Sequence, residues 1–346
     1  MYTFEQLMAP VWASDVIYDE ALTMVRSNGI AKAPLLFEAE EILLVTSADK
    51  TMEYEEGVDW ELQDGGLQLT PESRIFAFEE TELVFREEIP GECFPTKDGR
   101  YSLFHEGHYF HDRQISVTYR KKGGTLAFVP SFCGEFLPKT MAKFHQKEAV
   151  RVVLYGDSIA AGANSSGATL TTPFLPKWGD LLQENLKRNY DTNVELFNPS
   201  VPGMNSYWGI ENAKELVGDY QPDLAIIAFG MNDRDEAPQF VENTKLIMER
   251  ILAVSPETEF ILCATTVPNS ILKNFYKYQG DYGDALKQLQ GQGIAIADFG
   301  HMHQCMLEKK RFIDMTGNNV NHPNDFLIRC HAQFLSAMLI ERKMEV

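Results

Sequence analysis

The chain has 346 residues, 44% of them hydrophobic, with a formal net charge of −19 and five cysteines. It is long enough to bury a large core and to form more than one domain. The acidic balance argues against a nucleic-acid partner, whose phosphates call for Lys and Arg, and against an anionic membrane surface. No apolar stretch is long enough to cross a bilayer. Met1-Tyr2-Thr3-Phe4-Glu5-Gln6 has no basic segment leading into an apolar core, so no secretory leader is expected. Cys93, Cys133, Cys263, Cys305 and Cys330 are scattered, with no Cys-x-x-Cys pair. That usage suits reduced thiols, and a cytoplasmic location is expected.

In chain order, Val16, Ala21, Leu22 and Val25 recur at roughly helical spacing and predict a helix over 14–28. From about 34 to 130, short β-type runs alternate with turn signals. The runs are Ile42–Thr46, Gly66–Leu69, Arg74–Phe78 and Gln114–Tyr119; the turns include Gly65-Gly66, Asp98-Gly99 and Gly123-Gly124. Several short strands at this spacing predict an antiparallel sandwich or jelly roll. His105, His108 and His111 invite a metal reading. On a strand, however, positions three apart alternate faces, so a solvent-facing or interface role is expected instead. No metal and no organic cofactor is expected. A short connection near 135–148 divides the chain into a β-sandwich over 1–145 and a second domain over 146–346.

The second part alternates between two textures. Near-continuous apolar runs, Ala149–Tyr155, Asn193–Phe197, Leu224–Phe229, Glu259–Ala264 and Ile294–Asp298, read as strands. Between them, Leu175–Asn189, Ser206–Leu216, Pro238–Val254, Tyr282–Gln290 and Met302–Lys309 read as helices, and a last helix starts near Pro323. The pattern predicts an α/β fold, a flavodoxin-like parallel sheet covered by helices on both faces. Ligands of such sheets bind beyond the C-terminal ends of the strands. Ser158, Gly203 and Asn232 all follow predicted strand ends, on that one rim.

Tyr155-Gly156-Asp157-Ser158-Ile159 reads as a buried strand that turns sharply and presents a serine at the start of a helix, where outward N–H groups favour developing negative charge. Val201-Pro202-Gly203, Gly230-Met231-Asn232-Asp233 and Asn321-His322-Pro323 follow in order. Together these blocks, spread over roughly 148–346, resemble the SGNH (GDSL-type) hydrolases, and in particular carbohydrate-esterase-like members with an N-terminal β-sandwich. The resemblance implies Ser158 as nucleophile and His322 as its base. It also implies an oxyanion hole made of the Ser158 and Gly203 N–H groups and the Asn232 amide. Such a hole stabilises the anion that ester attack creates, and each donor contributes on the order of a hundredfold in rate. Asp157 and Asp233 are expected to hold their loops by accepting backbone N–H groups.

The acid is where the chain departs from the family pattern. Asn319 stands where many members carry Asp, three residues before the histidine. Three ways of orienting His322 stay open: Asn319 or a backbone carbonyl near it, Asp325 reaching back, or Asp314 from the preceding loop. Tyr207, Trp208 and Trp178 either line the rim or pack in the core. The resemblance implies a serine esterase acting on small acyl, chiefly acetyl, esters of a sugar or oligosaccharide. The alternatives are a lipid or thioester hydrolase of the same fold and a non-catalytic carbohydrate binder with a decayed site. A homo-oligomer is compatible with all three.

Overall fold

The computed structural model describes residues 2–341. Its first region contains the strands β1 (Val16–Leu22), β2 (Val25–Ser27), β3 (Ile30–Pro34), β4 (Ala39–Ser47), β5 (Trp60–Gln63), β6 (Gly66–Leu69), β7 (Phe78–Glu79), β8 (Val84–Phe85), β9 (Cys93–Pro95), β10 (Tyr101–Leu103) and β11 (Ile115–Lys121). Single turns of helix stand at α1 (Phe4–Leu7) and α2 (Glu80–Leu83). The strands form three sheets, in the orders β1-β11-β4, β5-β6-β3-β2-β7 and β8-β10-β9. All pairings are antiparallel except β2 with β7. The β-rich, antiparallel expectation therefore holds for this region.

The helix expected over 14–28 is absent: those residues form β1 and β2. The misleading spacing has a local cause. Ile17 pairs with Tyr119 but Glu20 pairs with Val117, so Tyr18 and Asp19 oppose a single partner residue. This is a bulge, with Asp19 at φ 48°, and it rephases the alternation that a regular strand would show. The Arg74–Phe78 run is also mostly not a strand. The Arg74 N–H and guanidinium donate to the buried Asp59 carboxylate at 3.0 and 2.6 Å, which takes that backbone out of ladder pairing.

The second region begins with α3 (Pro138–His145), whose first N–H groups, at Lys139 and Thr140, donate to the buried Glu259 carboxylate at 3.0 and 2.8 Å. Then come β12 (Val150–Gly156), α4 (Trp178–Tyr190), β13 (Val194–Phe197), α5 (Ser206–Leu216), β14 (Leu224–Ala228), α6 (Ala237–Leu252), β15 (Glu259–Ala264), α7 (Tyr282–Leu286), β16 (Ile294–Asp298), α8 (Phe299–Leu307) and α9 (Asp325–Leu339). The five strands form one parallel sheet in the order β13-β12-β14-β15-β16. Alternate residues of β12 enter different cores. Val152 and Leu154 pack with residues of α4, α8 and α9, whereas Val153 and Tyr155 pack with those of α5, α6 and α7. Helices therefore cover both faces, which explains why the strands read as unbroken apolar runs.

The two regions share a core. Ile17 and Tyr119 belong to the same apolar cluster as Trp178, Phe326 and Phe334. A fully buried ion pair also joins them: Lys310 Nζ lies 2.5 Å from Glu20 Oε1, and Glu20 further accepts the Leu36 N–H and the Tyr119 hydroxyl at 2.8 and 2.7 Å. No helix among the described residues is long and apolar enough to cross a membrane.

Candidate active site

β13 and β14 flank β12 on opposite sides, so the loop after β12 lies at the switch point of the sheet. Crevices form there because the chain leaves neighbouring strands in opposite directions. Gly156 ends β12, and a Cβ added to it would stand 2.2 Å from the Ala228 carbonyl oxygen, so glycine lets β12 and β14 approach at this point. The next residue, Asp157, is buried and ties two blocks together: its carboxylate accepts the Ile159 and Met231 N–H groups at 2.9 and 3.3 Å. Burial, reinforced by the nearby Asp233, raises the Asp157 pKa to about 7. Asp233 accepts both the N–H and the hydroxyl of Ser206, and burial raises its pKa too.

Ser158 does not open a helix. Ala161 and Ala163 donate to the Asp157 and Ser158 carbonyls at 2.9 Å each, making one helical turn. Gly162 and Asn164, at φ 78° and 61°, then carry the chain out of the helical path. The serine thus faces a single turn of N–H groups in place of a full helix dipole.

His322 Nε2 lies 2.9 Å from Ser158 Oγ. The histidine loop is organised by the Asn318 side chain, whose Oδ1 accepts the N–H groups of Val320, Asn321 and His322, each at 3.0 Å. The His322 carbonyl in turn accepts from Gly317 N–H and Thr316 Oγ1 at 2.8 and 3.0 Å. The position of the imidazole is therefore set by hydrogen bonds on both sides of its own peptide unit.

None of the three expected orienters touches the ring. Asn319, at φ 62° and buried, donates its amide to Ser102 Oγ and the Leu103 carbonyl at 3.1 and 2.9 Å, and accepts from Asn269 Nδ2 at 3.2 Å. It pins the histidine loop to β10. Asp325, in the first turn of α9, accepts the Ser166 N–H at 2.7 Å. Asp314 accepts the Thr23 N–H at 2.8 Å and pairs with Arg311. The groups that do face His322 Nδ1 are Asn164 Oδ1, at 2.5 Å, and Glu106 Oε2, at 3.3 Å. Asn164 donates its Nδ2 to the Gly107 and Gly317 carbonyls at 2.8 and 3.3 Å, so its oxygen is the atom turned to the ring. From this network Nδ1 is assigned the proton, leaving the Nε2 lone pair to the serine hydroxyl. Asn318 Nδ2 donates to Glu106 Oε1 at 3.1 Å. Burial alone would raise the Glu106 pKa, but its contact with His322 and the amides of Asn318 and Asn164 outweighs that and holds it below the ordinary glutamate value.

Glu106 and Asn164 carried no local signal. The one available clue was the neutral amide at 319, which turns the search for a partner of the histidine to the rest of the chain. Glu106 sits inside the histidine-rich segment noted above. That segment is a loop, not a strand, because β10 stops at Leu103 and Gly107 turns the chain at φ 76°. Its histidines diverge: His105 stacks on Tyr109, His108 bonds Asp112 at 2.6 Å, and His111 Nε2 meets the Thr172 carbonyl at 2.7 Å.

Among the described residues, the N–H groups of Ser158 and Gly203 have no protein acceptor. Gly203 is exposed at φ 82°. Asn232 donates one amide hydrogen to the Met204 carbonyl at 2.9 Å, joining the glycine and asparagine blocks. Trp178 belongs to the core, not the rim: it is fully buried and donates to the Ile159 carbonyl at 2.8 Å. Trp208 packs on Tyr155 and Phe229, and Tyr207 is exposed. Among the described residues, no group of three His, Cys, Asp or Glu side chains is arranged to hold a metal.

This sheet order, with a serine and a histidine meeting at its switch point, is the SGNH-hydrolase fold. The GDSL-like Lipase/Acylhydrolase family matches residues 154–326, half of the chain, and the chain belongs to that family. Nothing among curated proteins matches it. Similar solved structures include a two-domain esterase active on acetylated mannans, at 20% identity and TM-score 0.49, covering 60% of this chain and 53% of that one. The chain therefore spans about half the length of that enzyme. An acetyl xylan esterase, AlAXEase, matches at 20% identity and TM-score 0.44, covering 55% of this chain and 100% of its own. Axe2, an acetylxylan esterase from Geobacillus stearothermophilus, matches at 16% identity and TM-score 0.41, covering 53% of this chain and 91% of its own.

Proposed function

We propose that this protein is a serine esterase that removes small acyl groups, acetyl above all, from carbohydrate esters. The observation that carries the reading is the 2.9 Å contact between Ser158 Oγ and His322 Nε2 at the switch point of the sheet. A serine hydroxyl attacks a carbonyl only when a base takes its proton, and the imidazole nitrogen turned to it has its lone pair free. As Oγ bonds to the ester carbon, His322 takes the proton. The carbonyl oxygen becomes an anion facing the N–H groups of Ser158 and Gly203 and the Asn232 amide. His322 then protonates the departing sugar oxygen, leaving an acyl-serine. Water, activated by the same imidazole, hydrolyses that intermediate and frees Ser158.

The sugar-ester preference is supported by what surrounds the imidazole. Glu106, with its side chain 52% exposed beside the imidazole, offers a carboxylate that the hydroxyls of a sugar leaving group can reach. A second reading, longer acyl esters, is favoured by the exposed Leu170 and Phe174 on the loop after Ser158. Hydrolysis of p-nitrophenyl acetate, butyrate and octanoate, and of acetylated xylo- and manno-oligosaccharides, by the wild type and Ser158→Ala separates the two. Serine-dependent release confined to acetyl esters supports the proposal. A preference for octanoate replaces it with the lipid-ester reading, and no serine-dependent release from any substrate removes both.

A further inference from the structure

We propose that Glu106, carried by the β-rich first region, supplies the negative charge behind His322, with Asn164 as the neutral acceptor of the ring proton, so that the active site is completed across both regions of the chain. The inference rests on the esterase reading and assigns Glu106 as a positioning residue that acts through the imidazole.

Three observations carry it. First, the position from which the family's acid would act is already occupied. Asn319 directs its amide hydrogens at Ser102 and Leu103 and its oxygen at Asn269, so its side chain is engaged with β10 and Asn269 and makes no contact with the ring. Second, the nearest atom to His322 Nδ1 is the Asn164 oxygen at 2.5 Å, a neutral group. An amide can hold the tautomer but stabilises a developing imidazolium less than an anion does. Third, Glu106 Oε2 stands 3.3 Å from the same nitrogen, and its other oxygen is held at 3.1 Å by Asn318, the residue that also builds the histidine loop. The titratable groups around His322 are Glu106 on this side and Asp157 behind the nucleophile turn. Asp157 directs both carboxylate oxygens at backbone N–H groups.

The contact crosses a joint with several other fastenings. Asn164 Nδ2 reaches the Gly107 carbonyl, His111 reaches the Thr172 carbonyl, and Asn319 reaches β10. The loop bearing Glu106 is thereby fixed both to the segment after Ser158 and to the loop before His322. With a side chain 52% exposed, Glu106 acts through partly screened electrostatics, so its contribution should fall as salt rises.

The test compares wild type, Ser158→Ala, Glu106→Gln and Glu106→Asp on p-nitrophenyl acetate, reading kcat and KM against pH and ionic strength, with thermal midpoints as a folding control. Glu106→Gln keeps an oxygen for Asn318 and puts a neutral NH2 in place of the charged oxygen that faces Nδ1. The expected result is a kcat lower by about tenfold to a hundredfold, the size of one charge-assisted hydrogen bond, with KM within about twofold. The acid limb of kcat/KM should move to lower pH, because protonating the imidazole without the carboxylate is harder. The gap to wild type should narrow with salt, and Glu106→Asp should recover part of the loss. Wild-type kcat and pH profile in Glu106→Gln, with Ser158→Ala inactive, would overturn the proposal and leave the esterase reading standing. So would a loss of kcat with an unmoved acid limb and no salt dependence, which is the mark of a purely structural role. If Glu106→Gln does not fold, Glu106→Asp is read in its place: a folded variant whose kcat loss narrows with salt and whose acid limb moves to lower pH supports the proposal, and a folded variant whose kcat loss is indifferent to salt and pH overturns it. A wild type without Ser158-dependent turnover sinks the esterase reading itself.

Discussion

Restoring the family's usual acid, by Asn319→Asp, should damage this protein instead of improving it. The Asn319 amide donates to the Leu103 carbonyl at 2.9 Å and to Ser102 Oγ at 3.1 Å, and the residue is buried. A carboxylate cannot donate to a carbonyl. It would leave the Leu103 oxygen unpaired and set two acceptors against each other, while the Ser102 hydroxyl could turn to donate. An unsatisfied buried acceptor costs about 1–3 kcal/mol, and burying a charge adds to that. A loss of roughly 2–4 kcal/mol, spread over the unfolding entropy of a chain of this size, lowers the melting temperature by about 3–6 °C. Because the side chain does not reach the His322 ring, kcat per folded molecule should not rise. Calorimetry together with titrated active-site kinetics measures both quantities. A variant with unchanged melting temperature and raised kcat would refute the reasoning, since it would mean that residue 319 orients the histidine.

Other outcomes follow from the same contacts. Asn232→Ala removes one of the proposed oxyanion donors and should lower kcat on the order of a hundredfold with little change in KM, read by steady-state kinetics on p-nitrophenyl acetate. Asp157 is a carboxyl whose folded pKa, about 7, lies above its unfolded value of 3.8. The folded state therefore binds more protons between those values, and this residue's contribution to stability falls as pH rises through that window. Urea unfolding should accordingly show Asp157→Asn gaining on the wild type from pH 4 to pH 7; a constant difference would contradict the assignment. Lys310→Met leaves Glu20 buried without its cation and should cost about 3–5 kcal/mol, read as a drop in the urea midpoint, and an unchanged midpoint would show that Leu36 and Tyr119 suffice to hold the carboxylate.

The parallel sheet was legible because burial on both faces turns each strand into an apolar run, as in Val152–Tyr155 and Leu224–Ala228. The first region was harder to read where the backbone departs from regular pairing. The bulge at Tyr18 and Asp19 imitated helical spacing, and Asp59 drew the Arg74 backbone away from a ladder. At the site, the serine, glycine, asparagine and histidine blocks stand out because each is a short local motif tied to a strand end. The groups on the far side of the imidazole have no such motif. Glu106 lies 216 residues from His322 and Asn164 lies 158 away, and only the fold brings them together. Conversely, Asn319 occupies a suggestive position but its φ of 62° and its bonds to β10 give it a different task.

The most direct test of the central claim is covalent labelling with a fluorophosphonate, with peptide mass spectrometry to locate the adduct and initial rates compared between wild type and His322→Ala. The expected result is a single adduct on Ser158 that forms rapidly in the wild type and slows by at least about a thousandfold in the variant. Labelling at another residue, or at Ser158 with no dependence on His322, would contradict it.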